Sequence, residues 1–179
     1  MPDEKHHGST RSPISRRSFV AAGGMGLVLS QELIAQASDV KQDENCPFCR
    51  ISAGKLSAFK VWEDKHFLAF LDHKPITPGH TLLIPKEHYP YLFDMPEKRY
   101  GEMMTRLRRL AAPVRTAMSS KRVGVIVEGF GVDHCHVHIV PINGGDELTR
   151  RGVAGVTDDE FALVAKKIRA AIGALRADR

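Results

Sequence analysis

Residues 134–140 read His-Cys-His-Val-His-Ile-Val, so imidazoles at positions 134, 136 and 138 alternate with Cys135, Val137 and Ile139. A strand projects successive side chains to opposite faces. His134, His136 and His138 would therefore point one way, about 7 Å between neighbours, while the apolar residues enter a core. Two of the rings can then touch one phosphate or one metal ion. The chemistry leaves two readings open. A pair of imidazoles can ligate a catalytic zinc that keeps one open position. Alternatively, a neutral imidazole attacks phosphorus while its neighbour donates a hydrogen bond to the developing charge. Only Asp133 adjoins the three as an acidic ligand, which favours the nucleophile. Three ordinary surface histidines would not alternate with a buried apolar face; His6 and His7 illustrate that plainer case.

The chain has 179 residues, 42% hydrophobic and 26% charged, which fits one folded domain and excludes a disordered or fibrous class overall. Its formal charge of +5 suits an anionic small substrate. The basic stretches at 106–110 and 149–151 lack interleaved aromatics and read as solvated surface, so nucleic acid is not the expected partner.

Residues 1–37 read as an address. Arg16 and Arg17, Phe19, a short glycine-containing apolar run to Leu29 and Ala-Gln-Ala at 35–37 together resemble a bacterial twin-arginine export signal. Glu32 is unusual so near a cleavage site. The apolar run is too short for a stable membrane span. The expectation is an exported, periplasmic protein starting near Ser38, the alternative being a cytoplasmic one. Three cysteines, Cys46, Cys49 and Cys135, exclude complete internal pairing. Cys46-x-x-Cys49 is either a labile disulfide or half of a zinc site.

Residues 38–45 form a polar linker. Strands are expected at 59–64, 67–72 and 81–85, too closely spaced for helical crossovers and hence antiparallel, with a turn-rich loop at 73–80. From Asp94, which with Glu97 suggests an N-terminal cap, apolar residues recur at helical spacing from Tyr100 to Met118, and Pro113 should kink or end that helix. Its methionine and leucine stripe reads as core or as a subunit interface. Strands at 123–129 and 134–142 follow, joined around Gly129 and Gly131, and residues 143–155 form a flexible loop. Thr157 and Glu160 then cap a last amphipathic helix carrying Phe161, Val164, Ile168, Ile172 and Leu175.

The blocks CPFC (46–49), FLD (70–72), PGHTLLIPKEH (78–88) and HCHVHIV (134–140), in that order, resemble the histidine triad (HIT) superfamily, zinc-containing bacterial type. The resemblance spans residues 46–142 and leaves 143–179 as a loop and C-terminal helix. It implies an α+β fold: an antiparallel sheet of about five strands, a long helix between strands and a C-terminal helix, usually in a homodimer. It also implies a nucleotide hydrolase or nucleotidyltransferase that cleaves at the α-phosphate of a nucleoside phosphoramidate or dinucleoside polyphosphate.

Carried across, His136 matches the nucleophile and His138 the phosphate-binding histidine. Asp72 matches the acid that holds the ribose, and Phe48, Ile51 and Phe70 match the walls of a purine pocket. Cys46, Cys49, His88 and His134 match a structural zinc site, with no cofactor needed for the chemistry. The sequence departs from the pattern at 127–133, where a longer loop with Asn, Gln and Ser or Thr donors is usual. Backbone N–H groups near Gly129 and Gly131, or Arg150 and Arg151, are candidate substitutes. The alternatives are a non-catalytic nucleotide-binding protein and a zinc-dependent hydrolase that uses the triad as ligands.

Overall fold

Period-two alternation through neighbouring strands sorts the apolar residues of this chain onto two opposite faces of one sheet. The computed structural model describes residues 42–149 and 152–177. Its elements are helix α1 (Pro47–Ser52), strands β1 (Lys60–Glu63), β2 (Phe67–Leu71) and β3 (Thr81–Pro85), helix α2 (Glu97–Ala117), strands β4 (Arg122–Ile126) and β5 (Val137–Ile142), and helix α3 (Asp158–Ala177). The strands form one sheet in the order β1-β2-β3-β5-β4, with every neighbouring pair antiparallel. This is the expected α+β architecture.

β2 and β3 lie inside the sheet and are buried at every position. Phe67, Ala69, Leu71, Leu83, Val137 and Ile139 face the core closed by α2 and α3. Leu68, Phe70, Leu82 and Ile84 face the opposite way, against Phe48, Cys49 and Ile51 of α1. Cys135 belongs to the helix-side core with Val137 and Ile139, so the apolar half of the histidine motif lies where the alternation predicts. The strand itself begins only at Val137, which leaves His134 and His136 in the approach to it and His138 alone within it.

Two expectations for α2, an end at Pro113 and a cap from Asp94, are corrected. α2 runs unbroken from Glu97 to Ala117 with Pro113 inside it. Pro113 is buried beside Leu110 and Val114 at the packed face, while Arg109, whose carbonyl loses its partner, is solvent-exposed. Packing therefore outweighs one missing hydrogen bond. The N-cap of α2 is Pro96, without a side-chain cap, and Asp94 ends a 3-10 turn over Leu92–Asp94. The cap of α3 is as predicted: the Glu160 N–H donates to Thr157 Oγ1 (3.3 Å) and the Thr157 N–H to Glu160 Oε2 (2.8 Å).

The β2–β3 hairpin needs Gly79, whose φ is +86° and whose place would put a Cβ 2.5 Å from the Met118 side chain. Among the described residues no helix is long and apolar enough to cross a membrane. The export-like segment 1–37, Arg150, Arg151 and the side chain of Leu175 lie outside the described residues. Met103 is fully buried between α2 and the sheet. Met103→Ala is expected to lower unfolding stability by about 2–5 kcal/mol, read from urea denaturation midpoints.

Candidate active site and metal centre

Cys46 is the N-cap of α1 and Cys49 its third residue, with Pro47 holding the first turn. Positions three apart share a helix face, so both sulfurs point the same way. Two backbone N–H groups donate to them, Cys49 N–H to Cys46 Sγ (3.5 Å) and Asp43 N–H to Cys49 Sγ (3.4 Å). The histidines arrive from β3's end and from the segment before β5. His134 Nδ1 lies 3.3 Å from Cys46 Sγ and 3.5 Å from Cys49 Sγ, and His88 Nδ1 lies 3.4 Å from Cys49 Sγ. All four residues are buried, and their ligand atoms lie within 4.8 Å of one another.

The His134 Nε2–H donates to the Pro85 carbonyl (2.9 Å), which leaves Nδ1 with its lone pair toward the thiols. Burial holds this ring neutral, with its pKa lowered to about 4, and pushes the Cys49 thiol up to about 11. Two thiols, two imidazole lone pairs and N–H groups aimed at sulfur are a donor set for a tetrahedral divalent ion, which would stabilise the thiolates that burial alone disfavours.

His134 thereby serves the thiol cluster, while the other two members of its motif serve the cleft. The three rings share the α1 side of the sheet, opposite Cys135, Val137 and Ile139, and Phe48 stands edge-on to both His134 (5.8 Å) and His136 (5.3 Å), although the strand itself starts only after His136. His136 and His138 stay together, ring centroids 5.0 Å apart. Their hydrogen bonds fix where the protons sit. The His136 Nδ1–H donates to the His134 carbonyl (2.6 Å), so its Nε2 carries the lone pair. The Ile76 N–H donates to His80 Nδ1 (3.1 Å), so His80 carries its proton on Nε2 and donates it to His138 Nδ1 (2.9 Å). His138 must then hold its own proton on Nε2. Among the described residues, that Nε2 is the one buried side-chain nitrogen or oxygen left without a partner. One ring offers a lone pair and the next an unspent N–H. This is the pairing that attack on a tetrahedral anion requires.

Both rings open on a cleft of about 800 Å³. Phe48, Ile51, Phe70 and Asp72 line it, and Gly131 lines it from the β4–β5 loop, with Glu128 adding a carboxylate. Phe48 stands edge-on to both Phe70 (5.5 Å) and His136 (5.3 Å). Asp72 has two tasks: Oδ1 accepts from the Lys74 N–H (2.9 Å) to shape the turn, and Oδ2 lies 3.6 Å from His80 Nδ1 and 4.0 Å from His138 Nδ1. Asp72, His80 and His138 also converge as potential metal ligands, but His80 and His138 spend their facing nitrogens on each other.

Sequence reasoning gave His80 no role. The signal was a histidine opening an otherwise apolar strand, directly after Pro78-Gly79. Its ring is 1% exposed, and burial lowers its pKa to about 4, with Asp72 opposing. The unfolded chain binds that proton from its ordinary value of 6.5, so unfolding takes up a proton between the two values. Stability from this group is complete above about pH 6.5 and is lost as the pH falls toward about 4. His80→Asn is expected to flatten that part of the stability–pH curve, read as urea midpoints against pH.

Residues 53–145 match the HIT domain family. The adenylylsulfatase HINT3 of Arabidopsis thaliana is 31% identical over 137 residues, 74% of this chain and 66% of the plant protein. The adenosine 5′-monophosphoramidase HNT1 of Saccharomyces cerevisiae is 37% identical over 101 residues, 55% of this chain and 63% of the yeast protein. The crystal structure of a zinc-bound histidine triad family protein from Mycobacterium smegmatis superposes with a TM-score of 0.66 at 30% identity, covering 75% of this chain and 98% of that one. The five-stranded sheet, the paired rings and a match across just over half the residues agree: this chain belongs to the HIT domain family.

Proposed function

We propose that the protein is a nucleotide hydrolase or nucleotidyltransferase that works through a covalent nucleotidyl-His136 intermediate. The supporting observation is the opposed proton placement on two adjacent rings, a lone pair on His136 Nε2 and an unpartnered N–H on His138 Nε2. In the forward step the His136 lone pair forms a bond to the α-phosphorus, and the bond from phosphorus to the leaving group breaks with its electron pair. Water then attacks the same phosphorus and His136 departs. His138 donates to a non-bridging oxygen in both transition states, where negative charge grows. The apolar walls at Phe48, Ile51 and Phe70 suit a purine face, and Asp72 at the cleft mouth suits ribose hydroxyls. The two relatives named for cleaving adenylyl compounds favour a nucleoside 5′-monophosphate carrying an amine or sulfate leaving group.

A zinc ion held by Cys46, Cys49, His88 and His134 fits the donor set and the zinc-bound relative. It would cross-link α1 to the triad segment and take no part in the chemistry. The short 127–133 loop, which brings a Glu128 carboxylate rather than amide or hydroxyl donors to the cleft, favours a second reading as a non-catalytic nucleotide-binding protein. The twin-arginine-like leader adds the proposal that the protein acts in the periplasm.

The wild-type protein is expected to release AMP from adenosine 5′-phosphoramidate. His136→Ala is expected to lower that rate by at least about a thousandfold while AMP affinity stays within a few-fold. AMP binding with no release by the wild type would select the non-catalytic reading. Metal analysis of the purified protein is expected to find one zinc per chain. Cys49→Ser is expected to lose zinc and to melt several degrees lower.

A further inference from the structure

The hydrogen bond that fixes His80 has a source further along the chain. The peptide group between Pro75 and Ile76 has two polar ends, and both are engaged. Its N–H donates to His80 Nδ1 (3.1 Å), and its carbonyl, Pro75 C=O, accepts from the Val153 N–H (2.7 Å). Val153 lies in the irregular segment leading to α3, beyond the residues matched to the family. All the bonds run in one direction: Val153 N–H to Pro75 O, Ile76 N–H to His80 Nδ1, His80 Nε2–H to His138 Nδ1, and last the unpartnered His138 Nε2–H in the cleft. In such a chain each donor is polarised by the bond before it, so the terminal N–H becomes the stronger donor.

The contact that starts the chain depends on Gly152. A Cβ at that position would lie 3.0 Å from the Pro75 carbonyl oxygen and 3.1 Å from that of Lys74. Both neighbours are backbone atoms, which cannot swing aside as a side-chain tip would. A side chain at 152 makes this backbone give by a few tenths of an ångström, which loads the Val153–Pro75 contact and the 75–76 peptide plane. That shift reaches the nitrogen that decides the His80 tautomer.

We infer that Gly152 and the Val153 amide are positioning residues for the phosphate-binding histidine: they orient the Pro75–Ile76 peptide, which locks His80 and through it holds the His138 proton on the nitrogen that faces substrate. The effect on catalysis rests on the function proposed above; the proton placement does not.

The test uses the full-length protein labelled with ¹⁵N, with ring nitrogen shifts read by long-range ¹H–¹⁵N correlation, beside steady-state kinetics on adenosine 5′-phosphoramidate. In the wild type, His80 and His138 are expected to show protonated Nε2 and bare Nδ1. Either ring with its proton on Nδ1 overturns the inference without any variant. In Gly152→Ala the His138 tautomers are expected to mix and kcat to fall about tenfold, with KM within about twofold. Gly173→Ala, on an open position of α3, is expected to match the wild type in both readouts. If Gly152→Ala keeps both the wild-type ring shifts and kcat, the inference fails. Should Gly152→Ala not fold, Val153→Pro, which removes the amide proton and sets a ring carbon against the Pro75 carbonyl, must give the same shift changes, and wild-type shifts in that variant overturn it. A wild type that turns over no substrate would defeat the proposed function, and the ring shifts would still decide the positioning role.

Discussion

One residue, His134, ties the chemistry of this molecule to its architecture. Its ring is anchored at Nε2 by the Pro85 carbonyl at the end of β3 and presents Nδ1 to the two thiols of α1. Its own carbonyl takes the proton of His136. The backbone that the thiol cluster holds in place is thus the backbone that decides which nitrogen of His136 is bare. Were the His134 carbonyl to rotate away, His136 would be free to exchange tautomers and would spend part of its time with no lone pair toward the cleft. Burial reinforces the arrangement, since a fully enclosed ring at 134 disfavours the charged form that would compete for the same contacts.

Much of this was legible in the order of residues. Closely spaced apolar runs at 67–72 and 81–85 left room only for antiparallel pairing, and Thr157 with Glu160 marked the start of the last helix to within a residue. The alternation at 134–140 put Cys135, Val137 and Ile139 into the core as read. It also set the three histidines together on the α1 side, though it overstated the strand, which begins only at Val137. Local rules also misplaced two features of α2. Pro113 is a helix breaker in isolation, yet it sits on a buried seam where the surrounding apolar contacts hold the turn.

His80 shows a different limit. Its place after Pro78-Gly79 marks it without revealing its role, since its partners His138, Ile76 and Asp72 come together only through the hairpin and the β3–β5 pairing. Tautomers are likewise unreadable from sequence. They follow from backbone donors whose direction the fold sets, and here they separate two chemically identical side chains into an acceptor and a donor.

The shortest helix has the widest reach. Within six residues and its cap, α1 carries both the thiols Cys46 and Cys49 and the pocket walls Phe48 and Ile51. Such a rigid turn makes two distant equilibria reciprocal. On the proposed function, a cation gripping the sulfurs would also set the aromatic wall against which a base stacks, and a seated base would tighten the cation's hold by the same factor.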